Sequence, residues 1–214
     1  MDAVVDGEIV ELPGGDARVV TAARGRRGPG PGPELLLRRL VAAGSGVPAD
    51  DVELVQSCET CGGRHGRPTV GYPTTPSGAP WFVDAGAAGE LVVAAAATRR
   101  RVGVGVELVS AAALEGVDEA ALHASERAAL AALDPPERAR ARAMLWARKS
   151  ALLRAIGHTE FTEPSTLALT MPGDDEGIGR IERTVPEFGP GWRGVRFHDL
   201  AVPGAVVASV AVLG

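Results

Sequence analysis

Lysine is almost missing from this chain of 214 residues: Lys149 stands alone, and arginine supplies the rest of the positive charge. Aromatic residues make up only 4% of a chain that is 45% hydrophobic. The core must therefore be built from alanine, valine and leucine, and wholesale disorder is excluded. No apolar run approaches the length of a membrane span; the longest, Leu91 to Ala97, is strand-length. The first residues, Met1 to Glu11, carry acids and no basic region, which does not read as a signal peptide. These absences point to a cytoplasmic protein with no membrane partner. Two cysteines, Cys58 and Cys61, are then expected to stay reduced. A basic stripe is also lacking. The net charge is −5, and the arginines fall in short runs: Arg24, Arg26 and Arg27; Arg99 to Arg101; Arg138, Arg140 and Arg142. This balance argues against nucleic acid as a partner.

What is present alternates between strand-like and helix-like stretches. Val4 to Leu12 and Arg18 to Thr21 flank a Pro-Gly-Gly turn and predict a hairpin. Arg24 to Pro33 is a Gly-Pro-Arg loop. Glu34 to Ala43 has the spacing of an amphipathic helix, stopped by Gly44 and Gly46. Val52 to Gln56 reads as a strand and Cys58 to Ser77 as a turn-rich connection. Trp81 to Val83 and Leu91 to Thr98 read as a hairpin, and Val102 to Val109 continues the sheet. Asp118 to Ala121 and Ser125 to Leu133 predict short helices, the second capped by Ser125. A long helix runs from Glu137 to Ile156, opened by Pro135 and Pro136 and ended by Gly157. Leu167 to Thr170, Ile178 to Arg183, Gly194 to Asp199 and Val206 to Val212 read as strands. Gly89 to Ala96 (GELVVAAA) is echoed by Gly204 to Ala211 (GAVVASVA), which hints at two halves of similar build.

One constellation carries chemistry. Glu107 closes a strand, while Trp146, Lys149 and Arg154 lie on the long helix, where residues three and four apart share a face. A strand-end carboxylate facing a lysine and an arginine suits a phosphorylated substrate. The carboxylate would hold a hard cation such as Mg²⁺, and the cations would neutralise phosphate oxygens. On the chemistry alone, a surface ion pair between Glu107 and Lys149 or Arg154 is the preferred reading. Cys58, Cys61 and His65 supply three of the four ligands that a structural zinc requires. With a single CxxC, a reduced turn is the preferred reading there.

The order of the motifs resembles the Sfp-type 4′-phosphopantetheinyl transferases. That family ends a strand in Gly-Val-Asp-Ile/Val-Glu and follows it on a helix with Trp-x-x-Lys-Glu-Ala. Gly103, Val104, Val106 and Glu107 match the first; Trp146, Lys149 and Ala151 match the second. Gly66, Arg67 and Pro68 match the family's Gly-Lys-Pro turn, and Cys58 to Gly66 resembles a lead-in of many high-GC bacterial members. The helix bearing Arg38, and Ser125 with Glu126, are also similar. The resemblance spans roughly Glu34 to Gly214.

It implies an α+β fold of two pseudo-symmetric halves, 1–100 and 101–214, each a small mostly antiparallel sheet packed by helices. It implies a monomer whose substrate is coenzyme A, bound between the halves. The phosphopantetheine arm passes to a serine of an acyl or peptidyl carrier protein in a Mg²⁺-dependent phosphoryl transfer, made by positioning and charge neutralisation. Carried over residue by residue, it implies Glu107 and Lys149 as catalytic groups and Glu107 as the metal ligand. Arg67, Lys149, Arg154 and Arg38 are then the phosphate-binding cations. The departures lie at the chemistry. Gly105 and Ser150 occupy the places of two metal-site acids, and Asp84 and Ala85 those of a Ser-His pair. A pseudo-transferase that binds coenzyme A or a carrier protein without efficient turnover is therefore the alternative.

Overall fold

Two seven-residue strands of small apolar residues, Leu91–Ala97 and Val206–Val212, organise the molecule; every residue in both is buried. The computed structural model describes residues 7–15, 17–23, 32–56, 61–63, 67–109, 118–157, 163–174, 176–184 and 190–214. The chain divides into two units, Val4–Val102 and Gly103–Gly214. Among the described residues, all pairings of known register are antiparallel, giving an α+β protein of small antiparallel sheets.

In the N-terminal unit the strands are β1 (Ile9–Glu11), β2 (Arg18–Ala23), β3 (Glu53–Gln56), β4 (Pro68–Tyr72), β5 (Phe82–Ala88) and β6 (Leu91–Ala97). The main sheet has the order β1-β2-β6-β5, with Val20 opposite Ala94 and Asp84 opposite Ala95. Helix α1 (Pro33–Ser45) starts with proline, which gives up an N–H that would have no helical partner. It ends at Gly46, whose φ of 78° closes the last turn onto the Ala42 carbonyl. Its face of Leu36, Leu37, Leu40 and Val41 packs into one core with Val20, Val83, Val92 and Ala94. Gly44 lies against Trp81: a Cβ there would come within 2.6 Å of the indole ring. β3 and β4 form a separate ribbon. β4 lies inside the stretch read from sequence as a turn-rich connection, because its four glycines and three prolines masked a five-residue strand.

The C-terminal unit contains β7 (Val102–Leu108, whose first residue belongs to the N-terminal unit), β8 (Ala168–Leu169), β9 (Ile178–Gly179), β10 (Ile181–Arg183), β11 (Arg196–Leu200) and β12 (Val206–Val212). Its main sheet has the order β7-β12-β11-β9. β8 and β10 form a second ribbon, so the stretch Ile178 to Arg183 serves two sheets, broken at Arg180. The helices are α2 (Asp118–Ala121), α3 (Ala124–Ala131) and α4 (Pro135–Ile156). α3 begins one residue earlier than its sequence suggests. The cap is His123, whose Nδ1 accepts the Ser125 N–H while Glu126 accepts the His123 N–H. α4 is capped by the Asp134 carboxylate, which accepts the Glu137 N–H, and its Ala151, Leu152 and Ala155 join Phe197 and Ala211 in the second core. β6 and β12, the strands of the sequence echo, are thus the interior strands of their respective sheets, each packed by its unit's long helix.

Candidate functional site

β7 alternates Val-Gly-Val-Gly-Val-Glu, so residues 103, 105 and 107 share one face of the strand. That face meets α4 at very short range. A Cβ built at Gly105 would overlap the Ala147 carbonyl oxygen and lie 2.7 Å from its carbon. One at Gly103 would overlap the Ala151 carbonyl oxygen and lie 2.5 Å from the Ala155 nitrogen. The two glycines and three alanines let strand and helix backbones touch, and the next residue on the same face, Glu107, reaches α4 with its side chain. Ser150 Oγ donates to Glu107 Oε1 across 3.2 Å. Both residues are half-buried. Burial pushes the Glu107 carboxyl above its usual range, and the Ser150 hydroxyl pulls it partly back.

The structure assigns Lys149 a role other than the phosphate-binding or catalytic one expected for it. Its Nζ is buried and donates to Glu126 Oε2 at 2.6 Å and to the carbonyls of Ala121, Pro164 and Leu167 at 2.9–3.0 Å. Three donor protons are thus shared among four acceptors, and none remains for a ligand. Burial pulls its pKa down, opposed by the charge and hydrogen bond of Glu126. Glu126 also accepts the backbone N–H groups of His123 and Leu169. One carboxylate and one ammonium therefore tie α2, α3, α4 and β8 together. Neither residue pairs with Glu107, so the surface ion pair weighed from sequence does not form with Lys149.

Arg148, which sequence reasoning passed over, is another buried cation of α4. It binds Asp199 through Nε at 3.0 Å and Nη2 at 2.6 Å, and the Thr170 carbonyl through Nη1 at 2.7 Å. Gly179 makes room for the guanidinium, since a Cβ there would lie 2.5 Å from its central carbon. The signal was weak: Asp199 and Gly179 lie far along the chain in stretches that read as ordinary strands. Arg142 pairs with Asp118, which removes it from any cationic surface stripe.

The remaining predicted cations occupy different settings. Arg154 is exposed on α4, one turn beyond Ser150. In the N-terminal unit Arg38 binds Glu34 at 2.9 Å and the Val52 carbonyl, and Arg67 binds the Val102 carbonyl at 2.7 Å. Both guanidinium groups thus brace the backbone of their own unit. Asp84 is buried on β5. Cys61 is exposed, whereas Cys58, His65, Gly66, His158 and the Arg24 to Arg27 run lie outside the described residues. Among the described residues no three His, Cys, Asp or Glu side chains gather into a metal-binding group, and no helix is long and apolar enough to cross a membrane.

The three-acid magnesium site implied by the resemblance is therefore not assembled. Gly105 cannot be replaced by an acid without displacing α4. The donors that do meet, one carboxylate and one hydroxyl, are both oxygen ligands of the kind a hard cation takes. No family model matches the chain, and no curated protein matches it.

Proposed function

We propose that the chain is a divergent protein of the phosphopantetheinyl transferase type, with that family's two-half fold. In this reading it binds coenzyme A and transfers the phosphopantetheine arm to a serine of an acyl or peptidyl carrier protein. The observation that carries the reading is the contact of Glu107 with residue 150. The two motif segments that suggested the family are 43 residues apart in sequence and meet through a 3.2 Å hydrogen bond. The similar build of the two units, each with a buried small-residue strand inside a four-stranded sheet, supports it too.

In the reaction the carrier serine oxygen bonds to the phosphorus that bears the pantetheine arm. The bond to the bridging oxygen breaks, 3′,5′-ADP leaves with the electron pair, and the serine proton is released. The Ser150 hydroxyl can donate to the pyrophosphate end, and Arg154, one turn along α4, offers positive charge to it. A magnesium ion held at Glu107 would neutralise charge on the pyrophosphate oxygens.

A second reading, the pseudo-transferase, is favoured by a separate observation. The Gly105–Ala147 contact shuts one acid position, and Lys149 is engaged inside the fold. A missing general base alone slows such chemistry by about 10²–10⁴-fold. Incubation with coenzyme A, Mg²⁺ and a panel of apo carrier proteins separates the readings by intact mass. A phosphopantetheine adduct on any carrier, forming more slowly than with a control enzyme, supports the transferase. Coenzyme A binding without any adduct supports the second reading. No coenzyme A binding at all defeats both.

A further inference from the structure

All but one of the 22 basic residues are arginine, and the exception, Lys149, is buried in the middle of α4. Its neighbour Arg148 is buried as deeply, so burial alone does not call for a lysine at 149. The acceptors differ. Arg148 meets both oxygens of the Asp199 carboxylate, through Nε at 3.0 Å and Nη2 at 2.6 Å, which is the side-by-side pairing a planar guanidinium makes. Around Lys149, four oxygens from four different residues converge on one atom. Nζ lies 2.6 Å from Glu126 Oε2, 3.0 Å from the Ala121 carbonyl, and 2.9 Å from the carbonyls of Pro164 and Leu167. The end of α2, the first turn of α3 and the segment leading into β8 thus each supply oxygen to the cage. Solvent does not reach the charges: the lysine side chain is 0% exposed and that of Glu126 1%. A guanidinium spreads its donors over three nitrogens around a central carbon. None of those nitrogens has the three N–H groups that an ammonium turns toward converging acceptors.

We propose that these four oxygens form an ammonium-binding site, whose guest is the chain's own Lys149 and whose ligand class is the primary ammonium ion. Recognition resides in the cage and not in the tether. One carboxylate and three carbonyl dipoles meet the positive charge at a point, and the aliphatic stem only delivers it. The site should therefore accept a free primary amine when the side chain is cut back. It should reject a guanidinium even when that group is tethered. None of this depends on coenzyme A.

Chemical rescue tests the assignment. Lys149→Ala removes the stem beyond Cβ together with the ammonium, and n-propylammonium replaces those same atoms. Lys149→Ala should melt well below the wild type. Its Tm should rise with n-propylammonium concentration, by about 2–4 °C once the amine reaches roughly five times its Kd. The wild type, whose cage is filled, and Lys149→Met, whose apolar stem fills the path, should not respond. Tetramethylammonium, which has no N–H, should stabilise none of them. Lys149→Arg should melt as low as Lys149→Met. If Lys149→Ala does not fold in plain buffer, regain of native tryptophan fluorescence on adding n-propylammonium is the same test. In the wild type, the sole lysine should give one ¹⁵N-detected ammonium resonance at neutral pH, protected from exchange with water by its acceptors. No response of Lys149→Ala to n-propylammonium, or an equal response to tetramethylammonium, overturns the assignment. So does a Lys149→Arg protein as stable as the wild type, or a lysine ammonium that exchanges as fast as in a free peptide.

Discussion

Replacing Gly105 by alanine tests the closest contact in the C-terminal unit. The new Cβ would sit 2.7 Å from the Ala147 carbonyl carbon and overlap its oxygen. Carbon atoms pack best at about 3.5–4.0 Å, so α4 or β7 must move by roughly 1 Å. The obstacle is backbone, which cannot rotate away as a flexible side chain would. Adding a methylene to a packed core costs about 1–3 kcal/mol, and a rigid obstacle places this case at the upper end. Alanine restricts the unfolded chain and returns about 0.4–1 kcal/mol, which leaves a net loss of about 2 kcal/mol. For a chain of this size that lowers Tm by roughly 4–8 °C. Gly191→Ala, where a Cβ would meet nothing within 4 Å, is the control. Trp146 and Trp192, both packed on the C-terminal core, report unfolding by fluorescence. A Gly105→Ala protein that melts within about 1 °C of the wild type would refute the close-packing argument. It would also reopen position 105 to an acid.

Three further outcomes follow from the polar groups. Lys149→Met leaves Glu126 as a buried unpaired charge and should cost about 3–5 kcal/mol in urea unfolding. Lys149→Met/Glu126→Gln should lose clearly less than the two single changes together, because glutamine leaves no unpaired charge, although its one oxygen can accept only one of the His123 and Leu169 N–H groups. Additive losses would mean that the pair is not coupled. Lys149, the sole lysine, should resist an amine-reactive ester in the native protein and react only after unfolding, as read by peptide mapping. Labelling of the folded chain would contradict its burial. Glu107 gives a pH dependence. Burial raises its pKa in the folded state, so the folded form holds the proton more tightly than the unfolded chain does. The stability it contributes is complete below the ordinary carboxyl pKa near 4.5 and is lost as pH rises through the folded-state value. Glu107→Gln should therefore gain in Tm relative to the wild type between acidic and neutral pH, and a difference independent of pH would count against it.

The elements of strong period or sharp punctuation were legible in the amino-acid sequence. Val206–Val212 is the strand its composition describes, and α4 runs between the prolines and the glycine that mark it. α1 extends by one residue before and two after its amphipathic stretch, since Pro33 serves as a first-turn residue and the αL stop falls at Gly46. Short strands were not legible: β4 sits among turn residues, and Arg180 divides what reads as one strand into two with different partners. The site was legible in part. That Glu107 and the Trp146–Ala151 helix segment meet could be argued from motif order. The inward turn of Lys149 could not, because it depends on Glu126 and on carbonyls of residues 121, 164 and 167 that only the fold brings together. Three spacings of α4 look alike from sequence, and the decision between a ligand-facing and a buried lysine belongs to the long-range partner.

The fold also changes what the two departures from the resemblance, Gly105 and Ser150, mean. From sequence, Gly105 and Ser150 are equivalent losses. In the structure they are opposites. Gly105 is part of a backbone-to-backbone contact, and any side chain there works against the seating of α4. Ser150 is half-buried, hydrogen-bonded to the remaining acid and open on one side. A change at 105 must remake the helix–strand interface, while a change at 150 alters only the oxygens offered beside Glu107. The closure at 105 bears on whether the three-acid site that the resemblance implies could be built here at all. That closure, together with the inward turn of Lys149, is where the transferase and pseudo-transferase readings part.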